Sequence, residues 1–91
     1  MALRTDYNRE GLYAALDDFL AAFAQGDASR LKWSPDARIS ENGVLLSPGQ
    51  GAWISITGLG DYDFRLCDIS SGGVAMFGVL EESGDRSPFG V

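Results

Sequence analysis

Histidine is absent from this chain of 91 residues, and cysteine occurs once, as Cys67. Without histidine there is no Ser-His-Asp or Cys-His pair, no imidazole metal ligand and no unperturbed group that titrates near neutral pH. A single cysteine forms neither an intrachain disulfide nor a cysteine zinc site, and we interpret Cys67 as a small apolar core residue. We therefore expect no metal site.

Basic residues are also scarce, with 7 Lys and Arg against 13 Asp and Glu, so the net charge is -6 and the pI is near 4.3. This charge repels polyanions, which excludes nucleic acid as an expected partner. Long apolar runs are missing too. Residues 1–6 lack the apolar core of a signal peptide, and no run is long enough to span a bilayer. We expect a cytoplasmic protein without a membrane partner.

A helical pattern dominates the N-terminal part. Apolar residues between Leu12 and Phe23 recur at the spacing of one helical face, with alanines between them, which predicts an amphipathic helix over residues 6–25. Either Thr5 or Asn8 can cap its start.

The end of this helix is marked equally clearly. Gly26 supplies a residue that tolerates the left-handed conformation just past a helix end. Asp27 can then cap a short second helix over residues 28–32, which Pro35 ends because the residue before proline avoids the α region.

An Asn-Gly pair at residues 42–43, between two extended runs, predicts a β-hairpin over residues 37–46 with a type I′ turn. Counting outward from the turn pairs Glu41 with Val44 and places Glu41 on one face with Leu46. Glu41 then points to the buried side, where a charge suggests a function. The alternative is a carboxylate that reaches solvent around the turn.

The second half of the chain favours further strands. Tyr62, Phe64 and Leu66 alternate with polar residues, which predicts a half-buried strand with these three side chains inward. Residues 74–80 are continuously apolar, as in a strand covered on both faces. Residues 53–56 fit a helical turn or a short strand equally well.

Two helices followed by antiparallel strands predict an α+β fold, with the long helix covering one face of a curved sheet. The motifs occur in the order Gly26-Asp27, Pro35-Asp36-Ala37, Glu41-Asn42-Gly43 and Gly49-Gln50-Gly51-Ala52-Trp53. This order resembles the nuclear transport factor 2-like superfamily, which includes ketosteroid isomerases and SnoaL-type polyketide cyclases. The resemblance covers essentially the whole chain. It implies a single SnoaL-like domain over residues 1–91 with the cystatin-like cone-roll fold.

The resemblance also implies roles for individual residues. Glu41 falls where steroid isomerases place their proton-abstracting carboxylate. The position of their oxyanion-donating tyrosine falls on Phe19, which donates no hydrogen bond, and Tyr13 on the same helical face is the nearest substitute. Trp53 and Tyr62 are the further residues that we expect to line a ligand pocket.

Other polar and aromatic residues have two interpretations each. Asp68 is either a second acid on the inner face of its strand or the cap of the turn that follows it. Trp53 either roofs a pocket or packs in the core. Arg38 and Arg65, at positions expected to face outward, are partners for surface carboxylates rather than substrate clamps.

Members of the superfamily continue with one or two long strands beyond the position of Val91. The resemblance therefore implies a domain shortened at its C-terminus. It is a fragment, or is completed by a partner chain, or has an open cone that closes by dimerisation. Without further strands, residues 74–80 would present an open sheet edge. Pairing through the sheet face is usual in the superfamily, so we expect a homodimer.

Two functional hypotheses follow, and a plain structural domain without a site is the third. The first is a cofactor-free isomerase, cyclase or dehydratase that acts on a small apolar molecule, with Glu41 as general acid/base. The second is a noncatalytic ligand-binding or dimerisation module. We favour a small-molecule pocket without claiming turnover.

Overall fold

The computed structural model describes residues 7–91. In chain order the elements are α1 (Arg9–Ala24), a 3₁₀ helix (Ala28–Arg30), β1 (Ile39–Glu41), β2 (Val44–Leu46), α2 (Ala52–Ser55), β3 (Gly58–Asp68), β4 (Gly73–Glu82) and β5 (Asp85–Gly90). Strands β1 and β2 form one antiparallel sheet, and β3, β4 and β5 form a second in that order. The chain is therefore α+β, with a helix packed on antiparallel sheets, as predicted.

Helix α1 starts at the cap that the sequence offered at Asn8. The Asn8 side-chain oxygen Oδ1 accepts a hydrogen bond from the Gly11 amide at 2.7 Å, which satisfies one of the free donors of the first turn. The other proposed cap, Thr5, and the predicted first helical residue, Asp6, lie outside the described residues. At the other end Gly26 adopts a φ of +64°, as predicted.

The short second helix is a 3₁₀ helix that ends earlier than predicted. Asp27 caps it by accepting a hydrogen bond from the Ser29 amide at 3.1 Å. The helix stops at Arg30 because Leu31 is already in an extended conformation. Among residues 7–91, no helix is long and apolar enough to cross a membrane.

The first hairpin confirms the predicted register. Asn42 and Gly43 have φ values of +52° and +82°, as a type I′ turn requires, and Glu41 pairs with Val44. The segment that fitted a helix or a strand equally well is helical, over Ala52–Ser55.

Strand β3 presents to α1 the face opposite to the predicted one. Its predicted inner side chains are about half-exposed or more, with Tyr62 at 60%, Phe64 at 50% and Leu66 at 48%. The predicted outward residue Arg65 instead faces α1, where it contacts Asp17. The expectation was wrong because the larger apolar side chains of this strand lie on the face that the helix leaves uncovered.

Strand β4 lies between β3 and β5, so the expectation that residues 74–80 form an open edge is wrong. Covering on both faces is also not observed among residues 7–91. Met76 is 3% exposed on the helix side, whereas its neighbour Phe77 is 51% exposed on the other side. Helix α1 therefore covers one face of this sheet only.

The core runs continuously under α1. One group of buried side chains gathers around Phe23, Trp53 and Leu80, and a second consists of Leu16, Leu20 and Met76. The two groups share the same half-buried neighbours, which are Phe19, Leu59 and Phe89. The C-terminal half of α1 is thereby held against both α2 and the three-stranded sheet.

Candidate functional site

A partly open cleft of about 680 Å³ lies between the β1–β2 hairpin and strand β5. Its aromatic lining consists of Phe19, Phe23, Trp33, Trp53 and Phe89. Its charged lining consists of Arg38, Glu41 and Glu82. The cleft thus combines an aromatic part with a polar part of comparable extent, and a concave surface of this kind can hold a small molecule.

The indole of Trp53 organises the aromatic lining. The ring centroids of Phe23 and Phe19 lie 5.0 and 5.5 Å from that of Trp53, both in edge-to-face geometry. Such pairs contribute about 0.5–1.5 kcal/mol each beyond their burial, so the aromatic cluster is held in one arrangement. Trp53 is only 6% exposed, and it therefore packs in the core while one part of it borders the cleft.

Three of these aromatic residues were not singled out as site residues from the sequence. Phe23 follows Phe19 at a spacing of four, which puts both rings on one helical face and was a usable signal. Trp33 is held by its indole nitrogen, which donates to the Ala28 carbonyl oxygen at 2.9 Å. Phe89 reaches the cleft through the pairing of β5 with β4, and the Ser83-Gly84 turn between these strands was a usable signal for that pairing.

Glu41 lies at the edge of the cleft, in contact with the loop before α2. Its carboxylate oxygen Oε1 accepts a hydrogen bond from the Ala52 amide at 2.9 Å. The residue as a whole is exposed, so the carboxylate is not enclosed in an apolar cone. Its other oxygen, Oε2, accepts no hydrogen bond from any residue in the described range. Glu41 does point from the hairpin toward the body of the protein, on the same side as Leu46.

Two further charged residues complete the edge of the cleft. The carboxylate of Glu82 accepts a hydrogen bond from the Ser55 hydroxyl at the end of α2. Arg38, expected to face outward, is exposed but lines the cleft just before β1. The edge thus carries a carboxylate and a guanidinium at the β1–β2 hairpin and a second carboxylate at the end of β4.

Three of the residues predicted to bind a ligand lie outside the cleft. Tyr62 is on the outer face of the three-stranded sheet. Tyr13 lies on α1 beside the guanidinium of Arg65, whose central carbon is 5.8 Å from the ring centroid. The structure therefore brings together Glu41 and two of the predicted aromatic residues, Phe19 and Trp53.

Asp68, the third, has the geometry of a turn cap. Its carboxylate accepts hydrogen bonds from the Ser70 hydroxyl at 2.7 Å, the Ser70 amide at 3.0 Å and the Ser71 hydroxyl at 2.9 Å. These bonds, the Ser70 hydroxyl first, hold the pKa of Asp68 below its ordinary value. A carboxylate whose charged form is stabilised in this way carries no proton to donate near neutral pH.

Arg65 forms an ion cluster between α1 and β3. Its guanidinium makes two bonds to Asp63, at 2.7 and 2.8 Å, and one to Asp17 at 2.6 Å. Hydrogen bonding to Asp63 and then to Asp17 raises the pKa of Arg65 further above its ordinary value, and the Arg65 bond lowers the pKa of Asp63. Arg65 is thus a partner of carboxylates, although it does not face outward.

Across the described part of the chain, no cluster of three or more His, Cys, Asp or Glu side chains is placed to hold a metal ion. Cys67 is half-buried. The chemistry that the cleft offers is therefore apolar contact and stacking, with hydrogen bonds or charge pairing at its edge.

No curated protein and no solved structure matches this chain. A family model described as a domain of unknown function, DUF8021, matches residues 5–89. The match includes α1, the cleft and nearly all of the three-stranded sheet. The chain therefore belongs to the DUF8021 family.

Proposed function

We propose that this chain binds a small, largely apolar molecule with a flat ring in the cleft between the β1–β2 hairpin and β5. The observation that carries the proposal is the aromatic lining around Trp53. Aromatic walls accept a flat ring by offset or edge-to-face contact, and a volume of about 680 Å³ is within the range of small-molecule sites.

The edge of the cleft supplies the polar part of recognition. Arg38, Glu41 and Glu82 offer both signs of charge within one opening. A ligand with an apolar ring and one hydroxyl, carbonyl or amino group can contact the aromatic lining and form a hydrogen bond with one of these charged side chains. A strongly anionic ligand is disfavoured, because the two carboxylates and the net charge of -6 repel it.

The fold that we propose for the family is the nuclear transport factor 2-like cone roll of SnoaL-like domains. Support comes from a helix packed on one face of an antiparallel sheet and from Glu41 at the end of the first strand. In this proposal the cleft between the hairpin and the sheet takes the place of the interior of the cone.

Catalysis by Glu41 is a second candidate function. The observation in its favour is that Oε1 is held by Ala52 while Oε2 accepts no hydrogen bond from the described residues, which leaves one oxygen to take a proton. Incubation with ring ketones in D₂O tests this, because a general base exchanges the hydrogen beside the carbonyl for deuterium. Exchange by the native chain that is lost in Glu41→Gln supports catalysis, and equal exchange by both excludes it.

We also propose that two copies of the chain pair through the outer face of the three-stranded sheet. This outer apolar face is defined by Tyr62, Phe64, Leu66 and Phe77. Its three half-exposed aromatic rings leave roughly 100 Å² of apolar surface each. A contiguous patch of several hundred Å² marks an interaction site more often than free surface.

Ligand binding is tested by titrating the chain with the neutral dye N-phenylnaphthylamine and recording tryptophan emission. Both tryptophans line the cleft, so an occupied cleft quenches their emission. Phe89→Leu keeps an apolar side chain but removes a ring from the cleft, and we expect it to weaken binding about threefold to tenfold.

Phe77→Leu is the matched control, since it makes the same change on the outer apolar face. We expect it to leave the dye affinity unchanged. The opposite result, weaker binding in Phe77→Leu and none in Phe89→Leu, would place the dye on the outer face and overturn the proposal.

A further inference from the structure

We infer that Glu41 is a positioning residue, whose carboxylate fastens the β1–β2 hairpin to α2 and so sets the width of the cleft. The inference rests on the proposed ligand cleft for its functional meaning, but the contact itself is independent of any ligand. It assigns Glu41 a role different from proton transfer.

The hairpin has few other attachments to the body of the protein. Its strands are three residues each, and the apolar side chain of Leu45 is 73% exposed. An isolated two-stranded hairpin is marginally stable in water at best, so its position depends on its contacts with the rest of the protein. The bond from the Ala52 amide to Glu41 joins residues that are eleven positions apart and fastens the turn end of the hairpin to the first residue of α2.

Gly51 shows that the chain is shaped around this contact. Its φ is +69°, a conformation that L side chains rarely adopt. A Cβ atom at residue 51 would lie 2.8 and 2.9 Å from the two carboxylate oxygens of Glu41 and 2.8 Å from Cδ1 of Leu46. Any side chain at residue 51 would therefore displace the Glu41 carboxylate and the end of the Leu46 side chain from their present positions.

The hairpin forms one wall of the cleft, and β5 forms the other. Residues 38–42 and residues 87–91 both line the cleft. β5 is paired along its length with β4, whereas β1 and β2 form a separate two-stranded sheet, so the β1–β2 wall is the less constrained of the two. Loosening the Glu41–Ala52 contact therefore widens the cleft and lets a bound molecule leave faster.

The test compares Glu41→Ala with Glu41→Gln, using hydrogen exchange of the Ala52 amide measured by NMR. A glutamine oxygen can still accept the Ala52 hydrogen bond, whereas alanine cannot. We expect exchange at Ala52 to be about tenfold faster or more in Glu41→Ala and much closer to native in Glu41→Gln. Amides in β4 should be unchanged in both variants, which separates loss of the contact from general unfolding.

Gly51→Ala tests the same contact by placing a methyl group against the Glu41 carboxylate, and Gly84→Ala is its matched control. Gly84 also has a positive φ, of +89°, so alanine there is strained too, but no atom lies within 4 Å of its added Cβ. We expect Gly51→Ala to speed exchange at Ala52 as Glu41→Ala does, and Gly84→Ala to leave it unchanged.

The ligand readout is the dissociation rate of N-phenylnaphthylamine by stopped flow. We expect faster dissociation in Glu41→Ala and Gly51→Ala, with recovery in Glu41→Gln. Unchanged Ala52 exchange in Glu41→Ala would overturn the inference, as would dissociation from Glu41→Gln as fast as from Glu41→Ala. Absence of any dye signal in the native chain would refute the proposed cleft function, while the Ala52 exchange would still decide the positioning role.

Discussion

The two faces of the three-stranded sheet carry comparable apolar side chains but meet different surroundings. On the inner face Met76 and Leu80 pack beneath α1 and border the aromatic cluster. On the outer face Phe64 and Phe77 pair across β3 and β4, yet each is about half-exposed. Side-chain hydrophobicity therefore does not distinguish the buried face of this sheet from the open one.

What distinguishes the two faces is the helix. α1 presents Asp17 and Tyr13 to β3, and this pair of groups suits an arginine rather than an apolar side chain. Arg65 accordingly lies on the helix side, and the strand alternation places Phe64 and Leu66 outward. The ion cluster at the helix–sheet contact thus accompanies an apolar outer face, which is the face that we propose to pair with a second copy.

The largest expected difference between the faces is in stability. Met76→Ala removes a side chain packed against Leu16 and Leu20, and we expect it to lower the free energy of unfolding by about 2–5 kcal/mol. Phe77→Ala, one residue along the same strand, changes the exposed face and should cost under about 1 kcal/mol in the monomer. Urea unfolding followed by circular dichroism measures both.

Protein concentration sharpens this comparison. If two copies pair through the outer face, the loss of unfolding free energy caused by Phe77→Ala grows as the protein concentration rises, because the native dimer gains stability by mass action. The loss caused by Met76→Ala should depend far less on concentration. Equal losses for the two variants at low concentration would contradict the assignment of inner and outer faces.

The next effect concerns assembly. Phe64→Asp puts a charge in the outer apolar face, and we expect it to convert a homodimer to a monomer at concentrations where the native chain is paired, as measured by sedimentation equilibrium. Leu45→Asp is the matched control, because Leu45 is also exposed but lies on the β1–β2 hairpin. A native chain that is monomeric at every concentration would refute the dimer.

Local signals in the sequence predicted much of the fold. The Asn8 cap, Gly26 and the Asn42-Gly43 turn each depend on chemistry within a few residues, and all three occur as predicted. The inner face of β3 was assigned wrongly because the choice depends on α1, which is distant in sequence. Period-two alternation shows that a strand has two faces, but it does not show which face a helix covers.

The candidate site was predictable in part for the same reason. Glu41 and Phe19 could be placed by counting from a turn and along a helix, and both line the cleft. Phe89 enters through the β4–β5 hairpin, which the Ser83-Gly84 turn indicates, whereas Trp33 enters through a hydrogen bond to Ala28 that has no sequence signature. The contact of Glu41 with Ala52 could not be foreseen, because it depends on how the loop up to Gly51 folds back.

We expect the smallest change in stability from a substitution in the ion cluster of Arg65, Asp63 and Asp17 on the inner face. Asp63 has a lowered pKa because it accepts hydrogen bonds from Arg65. A carboxyl whose folded pKa lies below its unfolded value contributes stability above the unfolded value, and this contribution is lost as the pH falls through the folded one. Since these groups are partly exposed, we expect Asp63→Asn to cost under about 1 kcal/mol at pH 7.

The pH dependence separates this cost from other effects of the substitution. The stability difference between the native chain and Asp63→Asn should hold from neutral pH down to about pH 4 and then shrink, because the native carboxyl becomes protonated. Asp61→Asn is the control, since Asp61 is exposed on the same strand and makes no ion pair with a described residue. A stability difference for Asp63→Asn that persists at pH 2 would contradict this prediction, as would an equal difference for Asp61→Asn. Either result would show that the Asp63–Arg65 ion pair is not needed to hold Arg65 on the helix side.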